Sequence, residues 1–450
     1  MESLEHLSFS LLNTKWADYS EETIKSAKLV LLDTLGSMIA GIHQKESYQL
    51  AKQLNDVGSF RMLGTELKTN LYDAGFVHGI AAVGTEMDEG NQFSKGHPAA
   101  HVVPVLLTLY QQYGKTVSGE TFMDVLIKGY EACSRFGRAT TLLPDAHAHG
   151  TWGVMGAAAT ALLMENVSLS DFCEGVQLSA TFALPTMWTA ALKGKLIRNV
   201  YAGHAIEMGI RTVSLLKSNH LAPENNISHV FASVIGTNFD YQELIRKENE
   251  PWDIELNYFK PYAFCRYAHA PIDAFVKIVE TYKLKPEEIE RVNVYTYSRA
   301  ATLANQNYNN ILSCKFSIPY ALSVWAYKNV ADQTVFSNEY IEDRQIEAFA
   351  KRVFVHNSEE LERDYPKTMP AVVEVLDCNG NIYKERIDIA KGGPGKNLTE
   401  LEIIKKFMNL TNNYYSENIQ NEIINFILEI EHKTDISKLF QLCTTVKGDS

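Results

Sequence analysis

The chain has 450 residues, 46% of them apolar and 21% charged, with a formal net charge of −12. This length exceeds the roughly 250–300 residues at which a single hydrophobic core stops growing, so two compact units are expected. The composition excludes a disordered chain, and the acidic balance argues against nucleic acid or an anionic membrane as partner, since both need a net basic surface.

The start, MESLEHLSF, lacks the basic flank and long apolar run of a signal peptide, and no apolar run approaches the roughly 18 residues of a spanning helix. Six cysteines (Cys133, Cys173, Cys265, Cys314, Cys378, Cys443) are scattered without a CxxC pair, which fits reduced thiols in a cytoplasmic protein. From Ser20, an N-cap with Glu21 and Glu22 in the first turn, Ile24, Ala27, Leu31, Leu35, Met38 and Ile39 form one helical stripe that ends at Gly41. Further helices are expected from near Ser47, over Leu71 to Val83, over Val102 to Tyr110, and over Thr116 to Thr140, entered through Ser118-Gly119-Glu120. Small residues mark two close-packed helices, His147 to Met164 and Arg198 to Leu216. With no convincing alternating strand before about residue 240, the first half reads as all helix.

Near residue 260 the character changes. Arg291 to Tyr297 and Lys351 to Val355 alternate as strands, and Ala371 to Cys378 joins Ile382 to Ile389 through Asn379-Gly380, a strong hairpin signal. Helices are expected over Pro271 to Tyr282, Ile318 to Tyr327 and Glu339 to Ala350. After Lys391-Gly-Gly-Pro-Gly-Lys396, helical spacing returns over Thr399 to Leu410 and Glu417 to Ile430. The fold class is therefore mainly α with α+β: a large all-helical domain from residues 1–259 and 396–450, and a smaller α+β lid from residues 260–395 inserted into it.

Four polar clusters interrupt this pattern. The first, Glu86 to Pro104, sets Glu86, Asp88 and Glu89 against His97 and His101; Pro98 suits the first turn of a helix, which puts His97 at its entrance. The second is His147 and His149 before a glycine-rich helix, where backbone N–H groups favour an anion. The third is Lys193, Lys195 and Arg198 with Tyr201. The fourth is Lys260 to His269, followed by Lys315 to Tyr320. Each alone reads most simply as caps, satisfied histidines or solvated helix ends.

Together they supply carboxylates, imidazoles, a phenol and cations. Removing a proton next to a carboxylate creates an enediolate-like charge, which without an electron sink must be held by Lys, Arg and oriented donors. The inventory suits carbanion chemistry on a small polycarboxylate. A metal site is the competitor, because His97 and His101 have i,i+4 spacing; the chain has no HExxH, so no metal is expected. The GxxGxxG at Gly150, Gly153 and Gly156 has no strand before it and no Lys-Ser/Thr after it, which sets a nucleotide loop aside.

Six stretches, LLDTLGSMIAG, EMDEGNQFSKGHPAAHVVP, HAHGTWGVMGAAA, RNVYAGHAIEMG, KPYAFCRYAHAPIDA and KFSIPYAL, span nearly the whole chain in an order that resembles the MmgE/PrpD family. That family includes 2-methylcitrate dehydratase, cis-aconitate decarboxylase and iminodisuccinate epimerase. The resemblance implies a helical domain with an inserted lid, an active site between the two, a homodimer and no cofactor. By motif, Asp88 matches the acidic site residue, His97 the histidine of its HP pair, His147 the histidine before the turn, Lys260 the lysine of KPY, and Tyr320 the tyrosine of F-S-x-x-Y. Arg198 and Tyr201 stand where the decarboxylase and methylcitrate dehydratase branches carry lysine followed by histidine; the planar fork of Arg198 favours clamping a carboxylate over donating a proton. Cys265 stands in place of a second lid histidine of the decarboxylase branch, and Asp88-Glu-Gly-Asn91 replaces a DDT-type continuation.

The expected activity is that of a cofactor-independent dehydratase of a small di- or tricarboxylate. His97 or His147 would exchange the proton at carbon, with Asp88 orienting it and Tyr320 donating to the leaving oxygen. Asn91, Arg198, Tyr201, Lys260, Arg266 and His269 would bind substrate. Decarboxylation, epimerisation or non-catalytic binding of an acidic metabolite are the alternatives.

Overall fold

A computed structural model describes residues 2–113, 117–247 and 249–447. In chain order the helices that build the site region are α1 (Glu21–Ile42), α2 (Leu71–Gly84), α3 (Ala99–Tyr113), α4 (Gly119–Ala139), α5 (Gly153–Met164) and α6 (Ile197–Lys217). Their starts follow capping chemistry: Ser20 accepts from the Thr23 N–H at 3.0 Å, Asn70 from Tyr72 at 3.0 Å, and Ser118 from Thr121 at 3.1 Å. The start expected for α4 at Thr116 lies outside the described residues. The stripe read on α1 is buried, with Leu31, Leu35 and Ile39 each at 0% exposure, and α1 packs against α2, as α4 does against α5.

The first half is helical apart from very short strands: Phe60–Arg61 paired with Lys68–Thr69, Gly90–Asn91 in the loop after α2, and Thr140–Leu142 paired with Gly236–Phe239. These carry too few residues to show an alternation, which is why the sequence pattern misses them.

After α6 the chain builds a mixed layer: α7 (His269–Tyr282), β1 (Ile289–Thr296), α8 (Ile318–Lys328), β2 (Val353–Asn357), β3 (Ala371–Asp377) and β4 (Ile382–Ile387). The sheet order is β4-β3-β1-β2, with β1 and β2 parallel and the other pairs antiparallel. Register places Val292 opposite both Val353 and Val375, and these three side chains are fully buried under α7 and α8. The β3–β4 hairpin turns at Gly380, whose φ of +85° is the left-handed conformation an Asn-Gly turn requires. One expected helix, Glu339 to Ala350, is split into Asn338–Ile341 and Arg344–Ala350. Asp343 divides it by accepting from the backbone of Gln345 at 2.8 Å and Ile346 at 3.3 Å, which caps a new helix.

The chain then runs into α9 (Glu400–Thr411), opened by a Thr399/Glu402 capping box. By Cα proximity one unit comprises Met1–Met187, Arg198–Asn257 and Thr399–Ser450, and the other Trp188–Ile197 and Tyr258–Leu398. The first is mainly helical and the second α+β. Among the described residues no helix is long and apolar enough to cross a membrane.

Candidate active site

The loop between α2 and α3 carries the first cluster in the first unit. Glu86 leaves α2 with a φ of +58°, a left-handed conformation that costs a non-glycine residue on the order of 1 kcal/mol and is tolerated where surroundings fix it. Here the surroundings are Arg198, whose Nη2 lies 2.8 Å from the Glu86 carboxylate. On the other side of the loop, α9 supplies buried Lys406, which donates to the Met87 carbonyl at 2.7 Å and pairs with Asp33 at 2.6 Å. Asn91 closes the loop: it accepts from the Phe93 and Ser94 N–H groups and donates to the Asp253 carbonyl at 3.0 Å.

Asp88 is fully buried, and its Oδ2 lies 2.9 Å from Nδ1 of His97, which is 13% exposed. The same Nδ1 meets the Glu89 carbonyl oxygen at 2.6 Å. A nitrogen facing a carbonyl and a carboxylate must carry the proton, so the lone pair of neutral His97 is on Nε2. His101 follows the same rule, with Nδ1 donating to the His97 carbonyl at 3.0 Å. Its burial lowers its pKa to about 4, so it stays neutral. Glu89 is buried beneath both: Tyr130 donates to it, and the Ala99 N–H donates to it at 3.2 Å. Burial dominates these hydrogen bonds and pushes its pKa up to about 8, so it is mostly protonated at neutral pH.

The His147-Ala-His149-Gly150 turn lies against this loop. His147 differs from His97: its Nδ1 faces the His149 backbone N–H at 3.0 Å and its Nε2 faces the Arg198 Nε–H at 3.4 Å, so both ring nitrogens meet donors. Nη1 of Arg198 donates to the Val83 carbonyl at 3.0 Å. Gly150, at φ +77°, is needed because a Cβ there would meet Tyr201 Cβ at 2.9 Å. Tyr201 itself accepts from the Met187 N–H at 3.4 Å, and its ring centroid is 6.2 Å from that of His147.

His149 is stacked between the rings of His97, 5.1 Å away, and His147, 5.0 Å away, with His101 at 5.2 Å. Asp88, His97, His147, Arg198, Tyr201 and Asn91 are thus gathered in one unit, with Glu86, Glu89 and His149 as neighbours that the sequence reading noted in the clusters but gave no role. The signal for His149 was its place two residues after His147. The turn that stacks the two rings could not be read from spacing.

In the second unit, Lys260 and Tyr320 are fully buried. The Tyr320 hydroxyl donates to the Val335 carbonyl at 2.5 Å, and burial raises its pKa far above the usual phenol range. Arg266 donates to the carbonyls of Lys391 at 2.9 Å and Ala390 at 3.1 Å, and lies over the ring of Tyr258. His269 Nε2 meets the Phe264 carbonyl at 3.1 Å, while its Nδ1 lies 3.4 Å from Arg266. The chemistry these residues offer is cationic and hydrogen-bonding.

A cavity of about 750 Å³ elsewhere in the first unit is lined by Arg61, Tyr110, Asp435 and Phe440 and holds none of these histidines. Its lining contains no imidazole, so the histidine cluster is the stronger catalytic candidate. That cluster offers the His97 and His147 imidazoles beside the Asp88 carboxylate and the Arg198 guanidinium. Such a set can take a proton from carbon and hold a carboxylate.

Residues 5–241 match the model of the MmgE/PrpD N-terminal domain, and residues 262–432 that of the MmgE/PrpD C-terminal domain. A cis-aconitate decarboxylase of Aspergillus terreus (strain NIH 2624 / FGSC A1156) is 23% identical over 459 residues, covering 94% of this chain and 92% of that protein. The cis-aconitate decarboxylase-like protein oryM of Aspergillus oryzae (strain ATCC 42149 / RIB 40) is 21% identical over 461 residues, covering 95% and 94%.

Proposed function

Because the chain belongs to the MmgE/PrpD family, we propose that it is a lyase-type enzyme that removes a proton next to a carboxylate of a small di- or tricarboxylate and eliminates water. What supports this reading is the Asp88–His97 pair: with Nδ1 against the Glu89 carbonyl and Asp88, neutral His97 has Nε2 as its basic nitrogen. Elimination needs one group to accept the carbon-bound proton and another to protonate the leaving hydroxyl. His97 takes the first role and Tyr320, by motif, the second.

In this scheme Asp88 orients His97 and stabilises its imidazolium after the proton moves. Arg198, tied to Glu86 and donating to His147, holds that ring in place; a substrate carboxylate would compete with Glu86 for the guanidinium. Tyr201 and Asn91 shape the same turn and loop. Lys260 is assigned to a substrate carboxylate, Tyr320 to the leaving oxygen, and Arg266 and His269 to substrate binding, all by motif. The scheme draws each proton and charge from this chain's own side chains.

The test is NMR of the purified protein in D2O with citrate, 2-methylcitrate, cis-aconitate, iminodisuccinate and N- or S-succinylated amino acids. An alkene product or deuterium at the carbon next to a carboxylate is expected from one of them, with a loss of about 10²–10⁴-fold in His97→Asn. Near wild-type turnover in both His97→Asn and Lys260→Ala would sink the assignment. The names of the relatives favour a second reading, decarboxylation of a tricarboxylate. Release of CO2 instead of an alkene that keeps every carboxylate would establish it.

A further inference from the structure

The histidine that the scheme leaves unused is the most deeply buried of the stack. His149 is 0% exposed, and neither of its ring nitrogens has a hydrogen-bond partner among the described residues. Leaving a buried polar atom unsatisfied costs roughly 1–3 kcal/mol, so a native fold retains such atoms where something else meets them. His101 adds a third orphan, its Nε2. A donor atom from each of Asp88, His97 and His149 lies within 4.8 Å of the other two.

We propose that Asp88, His97 and His149 form a binding site for a divalent transition-metal ion of the Zn2+/Co2+ class, with His101 beside it as a further ligand. A ligating imidazole commonly has its other N–H held by a backbone carbonyl or carboxylate, which fixes the tautomer. His101 has this form, with Nδ1 held by the His97 carbonyl. His97 meets Asp88 through Nδ1, 2.9 Å away, so an ion shared by the two would take the place of the Nδ1 proton that faces the Glu89 carbonyl. The donor set of imidazoles and one carboxylate suits zinc, cobalt or manganese and is too nitrogen-rich for calcium or magnesium. The nearest fixed cation, Arg198, is paired with Glu86 at 2.8 Å, which reduces its repulsion of an incoming ion. Ligands around zinc sit about 2.0–2.2 Å from the ion, so neighbouring donors stand roughly 3–3.5 Å apart and these side chains draw in on binding.

The site goes beyond the reaction proposed above. An ion would tie up Asp88 and His97, the pair that the reaction uses, so the loaded protein should lose turnover. Binding, however, is read without any turnover. Tag-free, chelator-treated protein titrated with Co2+ should develop a visible d–d absorption that saturates at one ion per chain and is displaced by Zn2+. His149→Asn should weaken binding by about tenfold or more. No absorption from the wild-type protein, or equal binding by the variant, overturns the proposal. If the variant does not fold, a wild-type crystal soaked in Zn2+ decides: an anomalous peak against Asp88, His97 and His149 supports the site, and none there overturns it. Proton exchange into D2O by the chelator-treated enzyme tests the reaction separately, so either idea can fail alone.

Discussion

Glu89 makes a quantitative test of the buried loop. Its pKa is pushed from 4.5 up to about 8, chiefly by burial, against hydrogen bonds from Tyr130 and the Ala99 N–H that favour the charged form. Between those two values the folded state holds a proton that the unfolded state has released. The group's contribution is therefore fully present below about pH 4.5 and is lost as pH rises toward 8. The slope is roughly 1.4 kcal/mol per pH unit, or about 3 kcal/mol between pH 5 and pH 7. Glu89→Gln is uncharged at every pH, so its denaturation free energy, measured in urea by circular dichroism at several pH values, should lack this decline. Glu131, raised to about 7 by burial and by Asp253, adds a decline of the same sign to both proteins. The informative quantity is thus the difference between the two slopes. Equal slopes would refute the reasoning, because they would mean that Glu89 ionises in the folded protein as it does in the unfolded chain.

Arg198→Ala removes the guanidinium paired with the buried Glu86 carboxylate, which should destabilise the protein by about 3–5 kcal/mol in the same assay, with part recovered when Glu86→Gln is added. Gly153→Ala would place a Cβ 2.3 Å from Cδ2 of His101, so a loss of about 1–3 kcal/mol is expected together with a shift of the His101 imidazole signals in NMR. Tyr320→Phe removes a hydroxyl that donates to the Val335 carbonyl, which should cost about 1 kcal/mol of stability. A drop in turnover far beyond that cost would mark the hydroxyl as one that also meets substrate; unchanged turnover would remove it from the site.

The legible parts of the fold were those with a repeating pattern. The stripe on α1 and the Asn379-Gly380 hairpin carry period and turn chemistry that act locally, and they lie where the spacing puts them. The helix expected over Glu339 to Ala350 broke because a single Asp343 carboxylate offered the backbone a better partner than the helix did. The short strand pairs escaped because two to four residues carry no period. In the site, residue types were legible while their states were not. Arg198 was read as a clamp for substrate from its charge, and nothing in its neighbours on the chain announces the Glu86 carboxylate that lies more than one hundred residues earlier and meets it at 2.8 Å.

The same division explains how two imidazoles in one cluster come to differ. His97 meets acceptors at Nδ1, the Glu89 carbonyl and the Asp88 carboxylate, whereas His147 meets donors, the His149 amide at Nδ1 and the Arg198 guanidinium at Nε2. One partner in each case is a backbone group, set by the path of the Glu86 to Pro98 loop and the His147 to Gly150 turn. A substitution that moves the chain therefore changes what the ring meets. Gly150 is where that is most easily done, since its φ of +77° and the Tyr201 contact at 2.9 Å admit no Cβ. Gly150→Ala should therefore lower turnover through displacement of the His149 N–H from His147, visible as a changed 15N shift of that imidazole, even where the acid–base residues are all present. An unchanged His147 signal alongside lost turnover would show that the turn does not act through the His147 ring.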